Sequence, residues 1–271
     1  MQTIRKIKPD SYPPQLLEIP EPPKLLYIEG ALPEANADVK YLVVVGSRKY
    51  TSYGKQACEK LIEGLRGYPI IIVSGLALGI DTIAHKTAIE NNLMTIAFPG
   101  SGIARKNLYP ATNANFAETI INSGGALVSE YEPEAKSENH MFPRRNRLMA
   151  GIADAVLVIE AEEKSGTAIT ARLATDYNRT LLAVPGSIFS ATSQGTNRLI
   201  KMGATPINSS VDILEALGYD MSEEKNNNKT LFEELYIDAS DEEKILLELL
   251  REPMSRDELI YESELPAHKV S

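Results

Sequence analysis

The sequence predicts an α/β protein: a parallel sheet with helices on both faces, carrying a small partial helical appendage at its C-terminal end. Three observations predict it. From about residue 39 to residue 218, short apolar runs rich in Val and Ile alternate with amphipathic stretches, the pattern of βα units around a parallel sheet. Nearly every such run is followed by small residues. Beyond Gly218 the composition turns polar and acidic, marking an appendage.

Taken in order, residues 1–38 are punctuated by Pro9, Pro13, Pro14, Pro20, Pro22, Pro23 and Pro33 and predict an extended lead-in without long elements. The domain proper is expected to span 39–218. Strands are predicted at about 41–45, 69–73, 93–97, 125–128, 154–159, 180–184 and 204–207, with helices in the gaps. Just past strand ends lie Gly46-Ser47-Arg48, Ser74-Gly75, Pro99-Gly100-Ser101-Gly102, Ser129-Glu130, the turn from Glu160 to Thr167, and Pro185-Gly186-Ser187. In a parallel sheet those ends share one edge, where ligands bind. Small residues let backbone N–H groups approach a guest and helix N-termini add a positive field, so an anion such as phosphate fits. Residues 219–239 read as a polar, asparagine-rich linker. After it, Ser240-Asp241-Glu242-Glu243 caps a helix carrying Ile245, Leu246, Leu249 and Leu250; Pro253 ends that helix and Ser255 opens another. Residues 240–271 thus predict a partial helix-turn-helix, or winged-helix, segment.

Composition excludes several classes. The chain of 271 residues is 43% apolar and 24% charged, near the average for globular proteins. A lone cysteine, Cys58, rules out a disulfide framework and fits a reducing cytoplasm; His85, His140 and His268 lack ligand spacing, so no metal site is expected. No apolar run approaches the ~20 residues of a membrane helix, and no secretory leader is read at Met1. The net charge of −9 looks hostile to nucleic acid. Its distribution removes that objection: residues 219–271 hold 15 acidic and 6 basic side chains, leaving 22 of each sign in residues 1–218.

Three stretches together resemble the DprA/Smf (DNA-processing protein A) family. They are Val45-Gly46-Ser47-Arg48, the run from Val73-Ser74-Gly75 through Gly79 and Asp81 to His85, and Phe142-Pro143-Arg144-Arg145-Asn146-Arg147. Gly100 to Pro110 with its Tyr109-Pro110 end, Ser129-Glu130-Tyr131, Glu160-Ala161 with Ser165-Gly166-Thr167, and Pro185-Gly186 support the match, which runs from about Leu25 to Gly218. The resemblance implies an extended Rossmann-like domain that binds single-stranded DNA without catalysis or cofactor, forms a homodimer, and helps load the RecA recombinase during natural transformation. Two departures from the family pattern are expected: the helical domain of many relatives is absent or reduced to residues 1–38, and the winged-helix segment stops at the start of its recognition helix.

The residues expected at the DNA site are Gly46, Ser47, Arg48, Ser74, Gly75, Phe142, Arg144, Arg145, Asn146, Ser165, Gly166 and Thr167. Arg48 on the first βα turn offers a guanidinium that can fork onto a phosphate. The window 139–147 holds three arginines and a histidine with no acid, alongside Phe142, a mixture suited to a single strand. Phe142 reads either as a base-stacking ring or as a core anchor, and Ser165-Gly166-Thr167 either as a phosphate cradle or as a helix cap. Asp81 and His85 read as a helix-dipole partner and a packing residue rather than a catalytic pair. Residues 197–207 are expected at the dimer contact.

Rival readings fit less well. A P-loop needs G-x-x-x-x-G-K followed by Ser or Thr, and the nearest approach, Gly54-Lys55, has Lys49 and Gln56 at the other two places. A dinucleotide fold needs G-x-G-x-x-G where this chain has Gly46-Ser47-Arg48-Lys49-Tyr50-Thr51. The runner-up is a nucleoside-monophosphate phosphoribohydrolase of the lysine-decarboxylase-like type. Thr170 stands where that family's catalytic glutamate would be, leaving Glu130, Glu160 and Asp176 as spare carboxylates.

Overall fold

The computed structural model describes residues 3–33, 38–163, 165–221, 239–249, 256–263, 265–267 and 269. Two compact units divide the chain, Met1–Tyr219 and Asp220–Ser271. In the first, the described strands are β1 (Arg5–Ile7), β2 (Leu26–Gly30), β3 (Lys40–Val45), β4 (Ile70–Ser74), β5 (Thr95–Ala97), β6 (Ala126–Ser129), β7 (Ala155–Val158), β8 (Thr180–Ala183) and β9 (Thr205–Pro206). They form one nine-stranded sheet in the order β1-β2-β6-β5-β4-β3-β7-β8-β9. The strands from β3 onward are mutually parallel, joined by crossovers as the alternating pattern predicts.

β3 is the hinge of the topology. From it the chain winds outward through β4 and β5 to β6, then returns to lay β7 against its other side: Leu42 pairs with both Ile72 and Ala155. At such a reversal the βα turns on the two sides diverge and leave a crevice beyond the strand ends.

Helices α1 (Pro14–Leu17), α2 (Ser52–Glu63), α3 (Ile80–Glu90), α4 (Ala114–Asn122), α5 (Met141–Ile152), α6 (Thr167–Asp176), α7 (Ala191–Lys201) and α8 (Ser210–Ala216) cover both faces. Successive strand residues point to opposite faces, so Tyr41, Val43 and Val45 join Leu16 of α1, Leu148, Met149 and Ile152 of α5, and Ala171 and Ala174 of α6. On the opposite face Ala117, Ile120 and Ile121 of α4 pack on Ala97 and Leu127, and α2 lies against α3. Each fully buried aliphatic side chain here contributes roughly 1.5–3 kcal/mol.

The lead-in differs from its expectation. Residues 5–7 and 26–30 extend the sheet as two antiparallel strands, with Tyr27 opposite Ser129 and Ile28 opposite Val128, so the sheet is mixed and begins before residue 39. β2 is buried along its whole length. Glu29 hides it in the sequence: a charge in a five-residue run reads as solvent-facing. Its carboxylate is instead gripped by both terminal nitrogens of Arg105, at 2.9 and 3.0 Å, from 76 residues away.

In the second unit the described helices are α9 (Asp241–Leu249) and α10 (Arg256–Ser263). Ser240 caps α9 as its sequence predicts: its hydroxyl accepts from the Glu243 N–H at 3.3 Å, while the Glu243 carboxylate accepts from the Ser240 N–H at 2.8 Å. Most of the expected linker (222–238), and Leu250, Pro253 and Ser255, lie outside the described residues.

Candidate nucleic-acid interface

The turn after β3 is held from both sides. The Ser47 hydroxyl accepts from the Lys49 N–H at 3.0 Å and donates to its carbonyl at 2.9 Å, and the Ser47 carbonyl accepts from the Ile80 N–H at 3.2 Å. Across the switch point the Thr167 hydroxyl donates to the Gly46 carbonyl at 3.4 Å, tying the turn after β3 to the start of α6. Between these turns and the first two turns of α5 opens a cavity of about 490 Å³.

Nine of the sequence-predicted residues line it: Gly46, Ser47, Arg48, Phe142, Arg145, Asn146, Ser165, Gly166 and Thr167. Gly75 lines a small adjoining hollow with Arg48, Phe142 and Arg145. Two stand apart. Ser74 is fully buried, and its hydroxyl donates to the Val44 carbonyl at 2.6 Å, bracing β4 on β3 beneath the site. Arg144 turns to the outer surface, where its Nε meets Glu130 at 3.3 Å.

The arginines of α5 therefore face three ways, as a rotation of about 100° per residue requires. Arg147 is buried, donating to Glu130 and, at 2.6 Å, to the Glu21 carbonyl. Arg145 points into the cavity floor but is not free. One terminal nitrogen donates to the carbonyls of Gly75, at 2.6 Å, and Phe98, while Nε donates to Asn146 Oδ1 at 3.0 Å. Burial pulls the Arg145 guanidinium from its ordinary value down to about 10; Asp81 opposes the shift and the like charge of Arg48 adds to it. Gly75 makes this approach possible, since a Cβ there would stand 2.3 Å from the Arg145 nitrogen.

Asp81, which the sequence reads only as a dipole partner, is the countercharge. Its carboxyl accepts from the N–H groups of Gly75, at 3.1 Å, and Ala77, at 3.4 Å. Burial raises its pKa, against the pull of Arg145 and those N–H groups. Composition and spacing could not have found this pair, because the partners are 64 positions apart. His85 is a packing residue: its Nδ1 meets the Thr95 hydroxyl at 2.6 Å, and burial lowers its pKa to about 3.

Arg48 differs from its neighbours. It is exposed, and among the described residues it makes no ion pair; its guanidinium stands 5.9 Å from the centre of the Phe142 ring. Lys49, missed in the sequence reading though adjacent, also lines the cavity. Thr167 begins the ten-residue α6, whose first turn lines the same space, and among the described residues the buried Ser165 hydroxyl has no hydrogen-bond partner.

None of the three spare carboxylates lines the cavity. Glu160 is buried and accepts from Thr51 N–H at 2.9 Å, Thr51 Oγ1 at 2.6 Å and Thr192 Oγ1 at 3.1 Å. Glu130 is taken by two arginines, and Asp176 ends α6 beside Arg172 at 3.7 Å. The carboxylates that do line it are Asp81 and Glu162. Among the described residues no cluster of His, Cys, Asp and Glu is suited to a metal, and no helix is long and apolar enough to cross a membrane.

Comparison with known proteins identifies the family and the fold. The model of the family described as DNA recombination-mediator protein A matches residues 3–218. The chain is 39% identical over 210 residues to Protein Smf of Escherichia coli, a match covering 78% of this chain and 55% of that one. It is 40% identical over 208 residues to the DNA processing protein DprA of Streptococcus pneumoniae, covering 76% and 71%. The chain thus spans little more than half the length of the first relative. Among solved structures, the pneumococcal DprA superposes with a TM-score of 0.72 at 37% identity, covering 81% of this chain and 76% of that one. DNA processing protein A of Helicobacter pylori, solved to describe its single-stranded DNA binding mode, superposes at 0.68 with 29% identity, covering 80% and 98%. By its sequence, its mostly parallel Rossmann-like sheet and these matches, the chain belongs to the DNA recombination-mediator protein A family.

Proposed function

We propose that this protein binds single-stranded DNA at the carboxyl edge of its sheet and acts as a recombination mediator without catalysing a reaction or using a cofactor. The observation that carries the reading is Arg48: an exposed guanidinium without an acid partner among the described residues, at the mouth of a cavity that also receives the N-terminus of α6. The engagement of Glu130, Glu160 and Asp176 elsewhere argues against the phosphoribohydrolase alternative. Family membership supports RecA as the partner that receives the strand, a cytoplasmic location, and a homodimer whose contact involves residues 197–207, where Met202 is exposed.

Fluorescence anisotropy with single-stranded and duplex oligomers at several salt concentrations tests the DNA reading. Preference for the single strand and a steep salt dependence, about 0.7 log units of affinity per log unit of salt for each phosphate neutralised, are expected. A flat salt titration would rule this site out. Light scattering tests the dimer: a monomer at tens of micromolar, on the order of a weak interface's Kd, would remove it.

A further inference from the structure

Phe142 is the aromatic that the sequence marks for stacking, yet its surroundings are largely filled. One ring edge lies on the backbone of Gly100, so closely that a Cβ there would stand 2.4 Å from the ring. Arg48 stands over the ring, and Tyr109 meets it edge to face, centroids 5.4 Å apart at 66°. Phe142 is a pedestal. The ring left open is that of Tyr109, which is 46% exposed, and beside it in the same hollow lies Leu78, 49% exposed.

Leu78 cannot easily turn inward, because its loop is fixed on both sides. Asp81 accepts from the N–H groups of Gly75 and Ala77, the Thr82 hydroxyl donates to the Ala77 carbonyl at 2.6 Å, and the Asn113 amide donates to the Leu76 carbonyl at 2.9 Å. A single exposed leucine is ordinary. A leucine held outward on a rigid loop, next to an open tyrosine ring and a guanidinium, is a preorganised surface whose ordering cost has been met before any ligand arrives.

We infer that Tyr109, with Leu78 beside it, is a base-stacking platform: one base of a single strand lies across the tyrosine ring and Leu78 while an adjacent phosphate meets Arg48. This rests on the single-stranded-DNA reading above and adds a residue to it. The hollow holds only about 30 Å³, too little to enclose a base and read its edges. The platform therefore accepts any base through its π-face. The Tyr109 hydroxyl makes no hydrogen bond within the described residues, so the ring rather than the hydroxyl is the working part.

The test compares, in the full chain, an oligothymidylate with an abasic oligomer of equal length, which keeps every phosphate and removes the bases. The parent protein is expected to prefer the oligothymidylate. Tyr109→Ala should lower affinity for it about tenfold or more, leave abasic affinity and the salt slope unchanged, and so erase the preference. Tyr109→Phe should behave as the parent. Tyr109→Leu, which keeps apolar bulk against Phe142, should lose part of the preference, and supplies the same reading if the alanine variant does not fold. A preference that survives in both Tyr109→Ala and Tyr109→Leu overturns the platform and leaves the DNA reading standing, as does an equal loss on both oligomers with a lowered melting temperature. A parent protein that binds neither oligomer overturns both.

Discussion

Arg48 and Arg145 approach the same cavity, yet their substitutions should fail in different ways. Arg48 is exposed, so Arg48→Ala is expected to leave the melting temperature unchanged, to weaken single-stranded DNA binding by about one to two decades, and to flatten the salt slope by about 0.7. Arg145, which the sequence assigns to the same DNA site, is held differently. Its guanidinium serves the Gly75 and Phe98 carbonyls and faces Asp81, so Arg145→Ala strands a buried carboxyl, at a cost of about 3–5 kcal/mol or roughly 10 °C in melting temperature. An unshifted melt for Arg145→Ala would show that the pair carries no structural weight. His85 gives a pH test. It is buried neutral with a pKa near 3, against about 6.5 when unfolded, so between those values the unfolded chain binds the extra proton. Stability should fall as pH drops below about 6.5, with a slope approaching about 1.4 kcal/mol per pH unit from this group. Thermal melts from pH 7 to pH 4 should show the parent losing more than His85→Gln; parallel curves would refute the assignment.

At the level of elements, β2 carries the clearest prediction. Glu29 lies inside the sheet only because Arg105 neutralises it, and Arg105 also reaches Glu118. Arg105→Ala should therefore destabilise the domain by about 3 kcal/mol or more, whereas Glu29→Leu combined with Arg105→Leu should come close to the parent. Chemical denaturation of the three proteins checks this, and a single variant as stable as the double would contradict it. The same strand shows why part of the fold was illegible. β3, β4, β7 and β8 announce themselves as apolar runs because both of their faces are covered. A strand whose buried acid is balanced by a partner far along the chain carries no such local mark. The site follows the same rule: Gly46 to Arg48 and Ser165 to Thr167 follow from strand-end chemistry and the family resemblance, whereas the roles of Arg145, Asp81 and Tyr109 depend on packing between distant segments.

For the molecule as a whole, the charge division matters most. Residues 219–271 carry the whole net charge of −9, and the unit Met1–Tyr219 contains every residue assigned to the site. Truncation after Tyr219, whose ring packs edge-on against Tyr68, should leave single-stranded DNA affinity equal or slightly higher through loss of repulsion. A large drop in anisotropy titrations of the truncated protein would show that the tail takes part in binding or assembly.

The antiparallel seam between β2 and β6 also sets an order of events on the ribosome. Residues 26–30 leave the exit tunnel early, but the strand they pair with, 126–129, is about 100 residues behind, roughly 5–20 s at ordinary elongation rates. Throughout that interval the nascent chain holds an apolar segment whose only available strand partner is the three-residue β1, while its place in the sheet beside β6 is unmade. Protease pulses on arrested chains should therefore find residues 5–30 cleavable until synthesis has passed Ser129 by the length of the tunnel, and protected soon afterwards. Messages truncated before that point would yield sticky, aggregation-prone fragments, while those ending near residue 219 would release a compact, folded unit.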